Sequence, residues 1–263
     1  MLGEGNMKDI QIGIIGGTGG MGRIFADLFR KEGYAVHVAG RTQGLDIPTM
    51  AETCQVVIVS VPIDITVEII GKIGPLMDKD ALLMDLTSFK TEPVQAMLQS
   101  SRSEVIGLHP LFGPGVASIA GHTIVLCPAR AYGWLPWLRE IFKKRNATII
   151  ETTPERHDEL MALVQALNHL NSITMGIVLQ EWGEGLTALQ SFATPMFTTK
   201  LDIIKEIFTN NPKLYADIIT LNPHIEKILD LYGKTLSEVA TMIKTKDAVG
   251  LAGLMEKKSL WGS

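Results

Sequence analysis

Cysteine is nearly absent, with only Cys54 and Cys127 in 263 residues. That scarcity excludes a disulfide-stapled secreted scaffold, and because both lie in apolar runs they read as small core residues in a reducing compartment. Positive charge is scarce as well. The 24 Lys and Arg are outnumbered by 28 Asp and Glu, and no basic run exceeds Lys143-Lys144-Arg145, so nucleic acid is not an expected partner. The opening Met1-Leu-Gly-Glu-Gly-Asn6 lacks the basic and apolar regions of a signal peptide, and Met7 sits just before the first strand pattern, so a cytoplasmic location is expected. The one long uncharged stretch, 160–180, contains Gln165, Asn168, His169, Asn171 and Ser172. Each would need a partner inside lipid, so the stretch reads as a buried helix and no membrane partner is expected. Zinc-like Cys/His spacing, a nucleophile elbow and a phosphate-transfer lysine motif are all missing, and no metal is expected.

What is present is a core-forming chain. With 46% apolar residues, it is neither disordered nor collagen-like, and its length suits two modest domains. β-Branched runs at 10–15, 35–39, 55–60, 81–85, 104–108, 123–126 and 147–150 alternate with helix-like spacing at 21–31, 65–73, 92–99 and 131–144. The alternation predicts an α/β fold, a Rossmann-type doubly wound, mostly parallel sheet with helices on both faces. After Glu151 the strand signals stop. Thr153-Pro154 opens an all-helical region as N-cap and first turn, with breaks at Thr194-Pro195, Asn211-Pro212, Asn222-Pro223 and Gly233. Residues 1–152 are therefore read as a dinucleotide-binding domain and 153–263 as a helical substrate and dimerisation domain, the latter role by analogy with other helical tails on nucleotide domains.

The first strand runs into Gly16-Gly17-Thr18-Gly19-Gly20-Met21-Gly22, which satisfies G-x-G-x-x-G between a strand and a helix. Such a turn lets the backbone approach a pyrophosphate and offers it helix N-terminal N–H groups; the alternative is a tight turn that only packs helix on sheet. At the end of the second strand, where an acidic residue would bind the ribose of NAD, stand Gly40-Arg41-Thr42. A guanidinium and a hydroxyl there suit a 2′-phosphate, so NADP is favoured over NAD, unless Arg41 is a solvated loop residue.

Three segments fall where a doubly wound sheet places chemistry, past the C-terminal ends of strands. They are Ser60-Val61-Pro62, on the cofactor side, then Asp85-Leu-Thr-Ser88-Phe-Lys90, and Gly107-Leu-His109-Pro-Leu-Phe-Gly-Pro-Gly115. His109, locked by Pro110, is either structural or the group that accepts a hydroxyl proton near neutral pH. Ser88 could bond the same substrate oxygen, cap the following helix, or both. Gln165 and His169 share a helix face, facing either the core or a substrate. His157 reads as a cap or a local pair.

These segments, together with Gln165-Ala-Leu-Asn-His169 and Pro212-Lys-Leu-Tyr-Ala-Asp-Ile-Ile219, resemble the prephenate dehydrogenase family, most of all the dehydrogenase part of its bifunctional chorismate mutase/prephenate dehydrogenases. The resemblance runs in order along nearly the whole chain. No mutase-like helical segment precedes Met7, which implies a monofunctional chain. The resemblance implies a homodimer and the oxidative decarboxylation of prephenate to 4-hydroxyphenylpyruvate on the route to tyrosine. It implies that His109 polarises the ring 4-hydroxyl while hydride leaves for the nicotinamide, that Ser88 bonds that hydroxyl, and that His169 lines the substrate site. One departure stands out: Thr198 occupies the position where the family usually carries an arginine that binds a substrate carboxylate. Either Lys200, Arg130 or a partner-subunit group substitutes, or the substrate is arogenate or 4-amino-4-deoxyprephenate. A nucleotide-sensing dimer that binds NADP without turnover would instead tolerate loss of His109.

Overall fold

The computed structural model describes residues 10–40 and 44–260 and divides the chain into two compact units, 1–222 and 223–263. In the first unit seven strands form one sheet: β1 (Gln11–Ile15), β2 (Ala35–Ala39), β3 (Val56–Val59), β4 (Leu82–Asp85), β5 (Glu104–Pro110), β6 (Thr123–Arg130) and β7 (Thr148–Glu151), in the order β2-β1-β3-β4-β5-β6-β7. All pairs are parallel except β5 with β6, which run antiparallel. The exception follows from connectivity, since residues 111–122 between them contain no helix to carry the chain back across the sheet.

The helices on the sheet are α1 (Gly20–Lys31), α2 (Ile47–Thr53), α3 (Ile63–Ile73), α4 (Thr91–Ser100) and α5 (Trp134–Lys144). Strand side chains alternate between two cores. Val56 and Ile58 join Ile12, Ile14, Phe25, Phe29 and Phe142 on one face, while Val57 and Val59 join Met50, Ile70, Leu83 and Met97 on the other. Burial on both faces is why β3 and most of β4 read as unbroken apolar runs.

The helical part of this unit begins at α6 (Pro154–Met161), where Thr153 Oγ1 accepts the Arg156 N–H at 3.2 Å. A π-helical turn, Ala162–Leu167, joins it to α7 (Asn168–Trp182), which ends at Gly183 with φ of 88°. After α8 (Leu186–Ser191), α9 (Pro195–Thr209) is capped by Thr194 and α10 (Pro212–Thr220) by Asn211, at the predicted Xaa-Pro breaks. The second unit holds α11 (Ile225–Lys244) and α12 (Ala248–Lys257), which pack on each other.

Two helical expectations need correction. Gly233 does not break its helix: α11 runs through it, because a glycine interior costs a long helix only about 1 kcal/mol. The stretch 160–180 is buried on one face only. Met161, Ala162, Ala166 and Ser172 point inward, whereas Leu163, Val164, Ile177 and Val178 are exposed. Its polar groups nevertheless find uses within the protein, with Ser172 Oγ accepting from Lys200 Nζ at 3.1 Å and the His169 ring edge-on to Tyr215 at 4.9 Å.

Candidate active site

The glycine turn is built by close approach. Gly16 has φ of 82°, and both its N–H and that of Gly17 bond the Ala39 carbonyl, at 2.7 and 3.1 Å. A Cβ on Gly16 would run into the Ser60 carbonyl and one on Gly22 into the Gly16 carbonyl. Thr18 lies against Gly40, where a side chain would displace it. Helix α1 therefore starts directly at the sheet edge, with Gly19 as a cap that offers no side-chain acceptor and no acidic residue in the first turn. Its first N–H groups lack intrahelical partners and carry the positive end of the helix dipole. That arrangement fits a dinucleotide pyrophosphate, with Gly19, Gly20 and Met21 on one side and Ser60, Val61 and Pro62 across from them. Arg41 and Thr42 lie outside the described residues.

A cleft of about 450 Å³ opens beside this turn. Its walls bring together Gly19, Gly20, Met21, Ser60, Val61, Pro62, Ser88, His109, Gln165 and His169. Thus three sheet loops, the π-helical turn and α7 converge on one space, along with Asn211 and Tyr215 of α10 and its cap. A second groove of about 520 Å³, between α1 and residues 114–120, gathers none of these side chains but Gly20.

The loop after β4 separates its two hydroxyls. Both residues border the cleft, but Thr87 donates from N and Oγ1 to Asp85 Oδ2, at 2.9 and 2.5 Å, which leaves the Ser88 hydroxyl for the cleft. Lys90 is wholly buried beneath, its Nζ paired with Asp85 and donating to the Leu108 carbonyl at 2.9 Å. Ser88 does not cap α4: the cap position is Lys90, and the N–H groups of Lys90 and Thr91 are bound by the Asp158 carboxylate at 2.8 and 2.9 Å.

His109, near the end of β5, is buried, with Nδ1 2.9 Å from His157 Nε2 and Nε2 3.5 Å from Gln165 Nε2. Burial, with lesser contributions from His157 and the Lys90 cation, holds its pKa well below the usual imidazole value. His157 Nδ1 in turn lies 2.7 Å from Asp158 Oδ1. Burial pushes the Asp158 carboxyl up, but hydrogen bonds from His157, Thr91 and Lys90 outweigh it and leave the pKa lowered. His169 is half-buried, and desolvation lowers its pKa. Its Nδ1 and the Oε1 of Gln165 are buried without a hydrogen-bond partner among the described residues.

Thr198 and Lys200 are not brought into the cleft. Thr198 is exposed on α9 and donates to the Thr194 carbonyl at 3.2 Å, and Lys200 is occupied by Ser172. Arg130 binds the backbone carbonyls of Ser101 and Ser103 at 2.7 and 2.6 Å. Among the described residues, no Lys or Arg lines the cleft. Sequence reasoning missed the reach of His157, which pairs locally with Asp158 as read but also touches His109. The adjacent His-Asp pair was the available signal, though nothing in it indicates contact with a residue 48 positions away.

Two family models match the chain: the prephenate dehydrogenase nucleotide-binding domain over residues 28–151 and the prephenate dehydrogenase dimerization domain over 153–257. A probable arogenate/prephenate dehydrogenase of Methanocaldococcus jannaschii is 32% identical, covering 95% of this chain and 60% of that protein. A T-protein of Haemophilus influenzae is 33% identical, covering 95% and 67%. The chain thus spans about two thirds or less of these relatives' lengths. Synechocystis arogenate dehydrogenase shares the fold, with a TM-score of 0.72 at 22% identity over 94% of this chain and 97% of that one.

Proposed function

The chain belongs to the prephenate dehydrogenase family, and from that premise we propose that it oxidises prephenate to 4-hydroxyphenylpyruvate with loss of CO₂. The observation that carries the reading is the convergence of the glycine turn, Ser88, His109, Gln165 and His169 on one cleft. A nicotinamide held by the glycine turn would supply the hydride acceptor for the carbon that bears the ring hydroxyl. His109 takes the hydroxyl proton at Nε2, a role suited to a buried imidazole that stays neutral. Ser88 holds the same oxygen. The resulting dienone loses its ring carboxylate as CO₂, and the bonding electrons close the aromatic ring. His169, with its unpartnered Nδ1, and Gln165 bind the rest of the substrate. Residues 1–152 act as the dinucleotide-binding domain and 153–263 as the substrate and dimerisation domain.

NADP is the preferred cofactor in this reading, since Gly40-Arg41-Thr42 offers a cation and no acidic residue where the ribose 2′ position is bound. The active species is a homodimer, supported by the match to a dimerization-domain model and by the exposed apolar residues of the π-helical turn and α7, Leu163, Val164, Ile177 and Val178. Arogenate is the second reading, favoured by one observation: the cleft has no Lys or Arg among its described residues. Arogenate carries an ammonium beside its side-chain carboxylate and needs less cationic compensation than prephenate. Otherwise the partner subunit supplies the missing cation.

The test is the rate of nicotinamide reduction with prephenate, arogenate and 4-amino-4-deoxyprephenate, each with NAD and NADP. Prephenate with NADP should give the highest kcat/KM. Turnover confined to the amino-substituted compounds overturns the substrate, and intact nucleotide binding without turnover of any of them favours the nucleotide-sensing dimer.

A further inference from the structure

The mechanism above uses His109 but leaves unexplained the buried pair behind it. His157 and Asp158 are each about 1% exposed, and they sit on α6, an element that contributes no residue to the cleft wall. We propose that His157 and Asp158 are positioning residues that fix His109 in the Nδ1–H tautomer, so that the lone pair on Nε2 faces the substrate hydroxyl. The proposal rests on the reading of His109 as proton acceptor.

The protonation pattern follows from donor and acceptor bookkeeping that starts at Asp158. Its oxygens take the backbone N–H groups of Lys90 and Thr91, contacts that only an acceptor can make. Oδ1 also lies 2.7 Å from His157 Nδ1, so that nitrogen must carry a hydrogen. A neutral His157 protonated at Nδ1 has its lone pair on Nε2, which is 2.9 Å from His109 Nδ1. Two lone pairs cannot face each other at that distance, so His109 Nδ1 is the donor and its Nε2 is bare. The amide nitrogen of Gln165, 3.5 Å from His109 Nε2, agrees in sign because an amide NH₂ only donates. The opposite tautomer of His109 requires a doubly protonated His157.

The same chain of contacts has a role during turnover. One proton leaves the substrate hydroxyl for His109 Nε2 as the carbon bearing that hydroxyl gives up a hydride, for which a bound nicotinamide would be the acceptor. The cation formed on His109 lies in a buried site beside Lys90, where positive charge is disfavoured. The Asp158 carboxylate, connected through His157, supplies the compensating negative charge, as a buried aspartate does behind a triad histidine. The other titratable groups in this region are Lys90, whose charge acts on His109, its partner Asp85, Cys127 on the neighbouring β6, and His169 and Tyr215 on the cleft wall. Among the described residues, no hydrogen bond from any of these groups reaches His109 to set its tautomer.

The experiment combines ¹⁵N-histidine NMR of the full chain with two variants. His109 is assigned by the signals lost in His109→Gln. In wild type its Nδ1 should give a protonated, pyrrole-like shift and Nε2 a bare, pyridine-like one. Asp158→Asn can present an NH₂ to His157, inverting both tautomers, and should lower kcat by about 10²-fold or more with KM little changed. Because Asp158 also holds the start of α4, His157→Asn is the second variant, since it leaves the bonds to Lys90 and Thr91 in place. It should mix the His109 tautomers and shift the acidic limb of the kcat–pH profile while nucleotide binding is retained. A protonated Nε2 in wild type, or variants that keep the tautomer and kcat, overturns the proposal. The NMR result needs no substrate, so a failure of the proposed reaction would appear in the turnover assay alone.

Discussion

Lys90 offers a sharp test of how the site is supported. Its side chain and that of Asp85 are both 0% exposed, so each charge has given up water and depends on the other. Nζ also donates to the Leu108 carbonyl, tying the loop after β4 to the strand that carries His109. Lys90→Met preserves most of the packing but strands a carboxylate that retains only the two Thr87 hydrogen bonds, with Oδ1 already unpartnered. Removing one partner of a buried pair costs about 3–5 kcal/mol. For a chain of this size, at roughly 2–4 °C per kcal/mol, the melting temperature should fall by about 6–20 °C. Adding Asp85→Asn removes the stranded charge and keeps an oxygen for Thr87, so the double variant should regain most of the loss. Urea denaturation of wild type, both single variants and the double variant, at one protein concentration, measures the coupling directly. A single-variant cost below about 1 kcal/mol, or a double variant no more stable than Lys90→Met, would refute the account of a mutually dependent buried pair.

Further outcomes follow from the same physical picture. Because His109 is held well below its ordinary value of 6.5, the unfolded chain binds its proton first as pH falls; stability should drop below about pH 6.5 by up to ~1.4 kcal/mol per pH unit from this group, and His109→Gln should flatten that slope in denaturation series at about pH 7.5 and 5.5. His169, lowered by desolvation, works in the same direction and should leave a residual slope. Arg41→Ala should raise KM for NADP far more than for NAD, and an unchanged ratio would remove Arg41 from the 2′-phosphate site. Val178→Asp, at a position 54% exposed in the single chain, should cost little in monomer stability yet shift sedimentation from dimer to monomer; a variant that still sediments as a dimer shows that this face of α7 is not the interface.

The parts that were legible from sequence are those governed by local pattern. Seven strands lie where β-branched runs predicted them, Thr153 caps its helix as read, and helices start at the Thr194-Pro195 and Asn211-Pro212 breaks. Helix α2 has no counterpart in the sequence reading, because seven residues give too few turns to establish a period, although Asp46 caps it and Pro48 lies in its first turn. The reversed direction of β6 was hidden for a different reason. A strand's apolar pattern is the same whichever way it runs, and only the missing helix in 111–122 distinguishes the two. Lys90 was quoted in a motif and given no role, since a lysine declares itself buried only through its partners. His157 had the same difficulty, with its second contact 48 residues away.

The charge balance separates what one chain can supply from what it cannot. A pyrophosphate is an anion that backbone dipoles can hold, and the open N-terminus of α1 is formed by the chain itself from glycine geometry. A substrate with two carboxylates asks for more. Ser88, Gln165, His169, Asn211 and Tyr215 are neutral donors that can orient a carboxylate, but they do not neutralise it. Of the cations near the family's arginine position, Lys200 bonds Ser172 and Lys213 bonds Asp64 and Asp217, and neither these two nor Lys205 lines the cleft. Meanwhile Leu163 and Val164 of the π-helical turn and Ile177 and Val178 of α7 remain exposed on a single chain. An unneutralised cleft and an uncovered helix face are two deficits of the isolated subunit, and one event, association with a second copy, can answer both. Strand-end motifs point to the part of the cleft that one chain builds because they act within one fold; a residue working across a subunit boundary would leave no spacing in the sequence by which to find it.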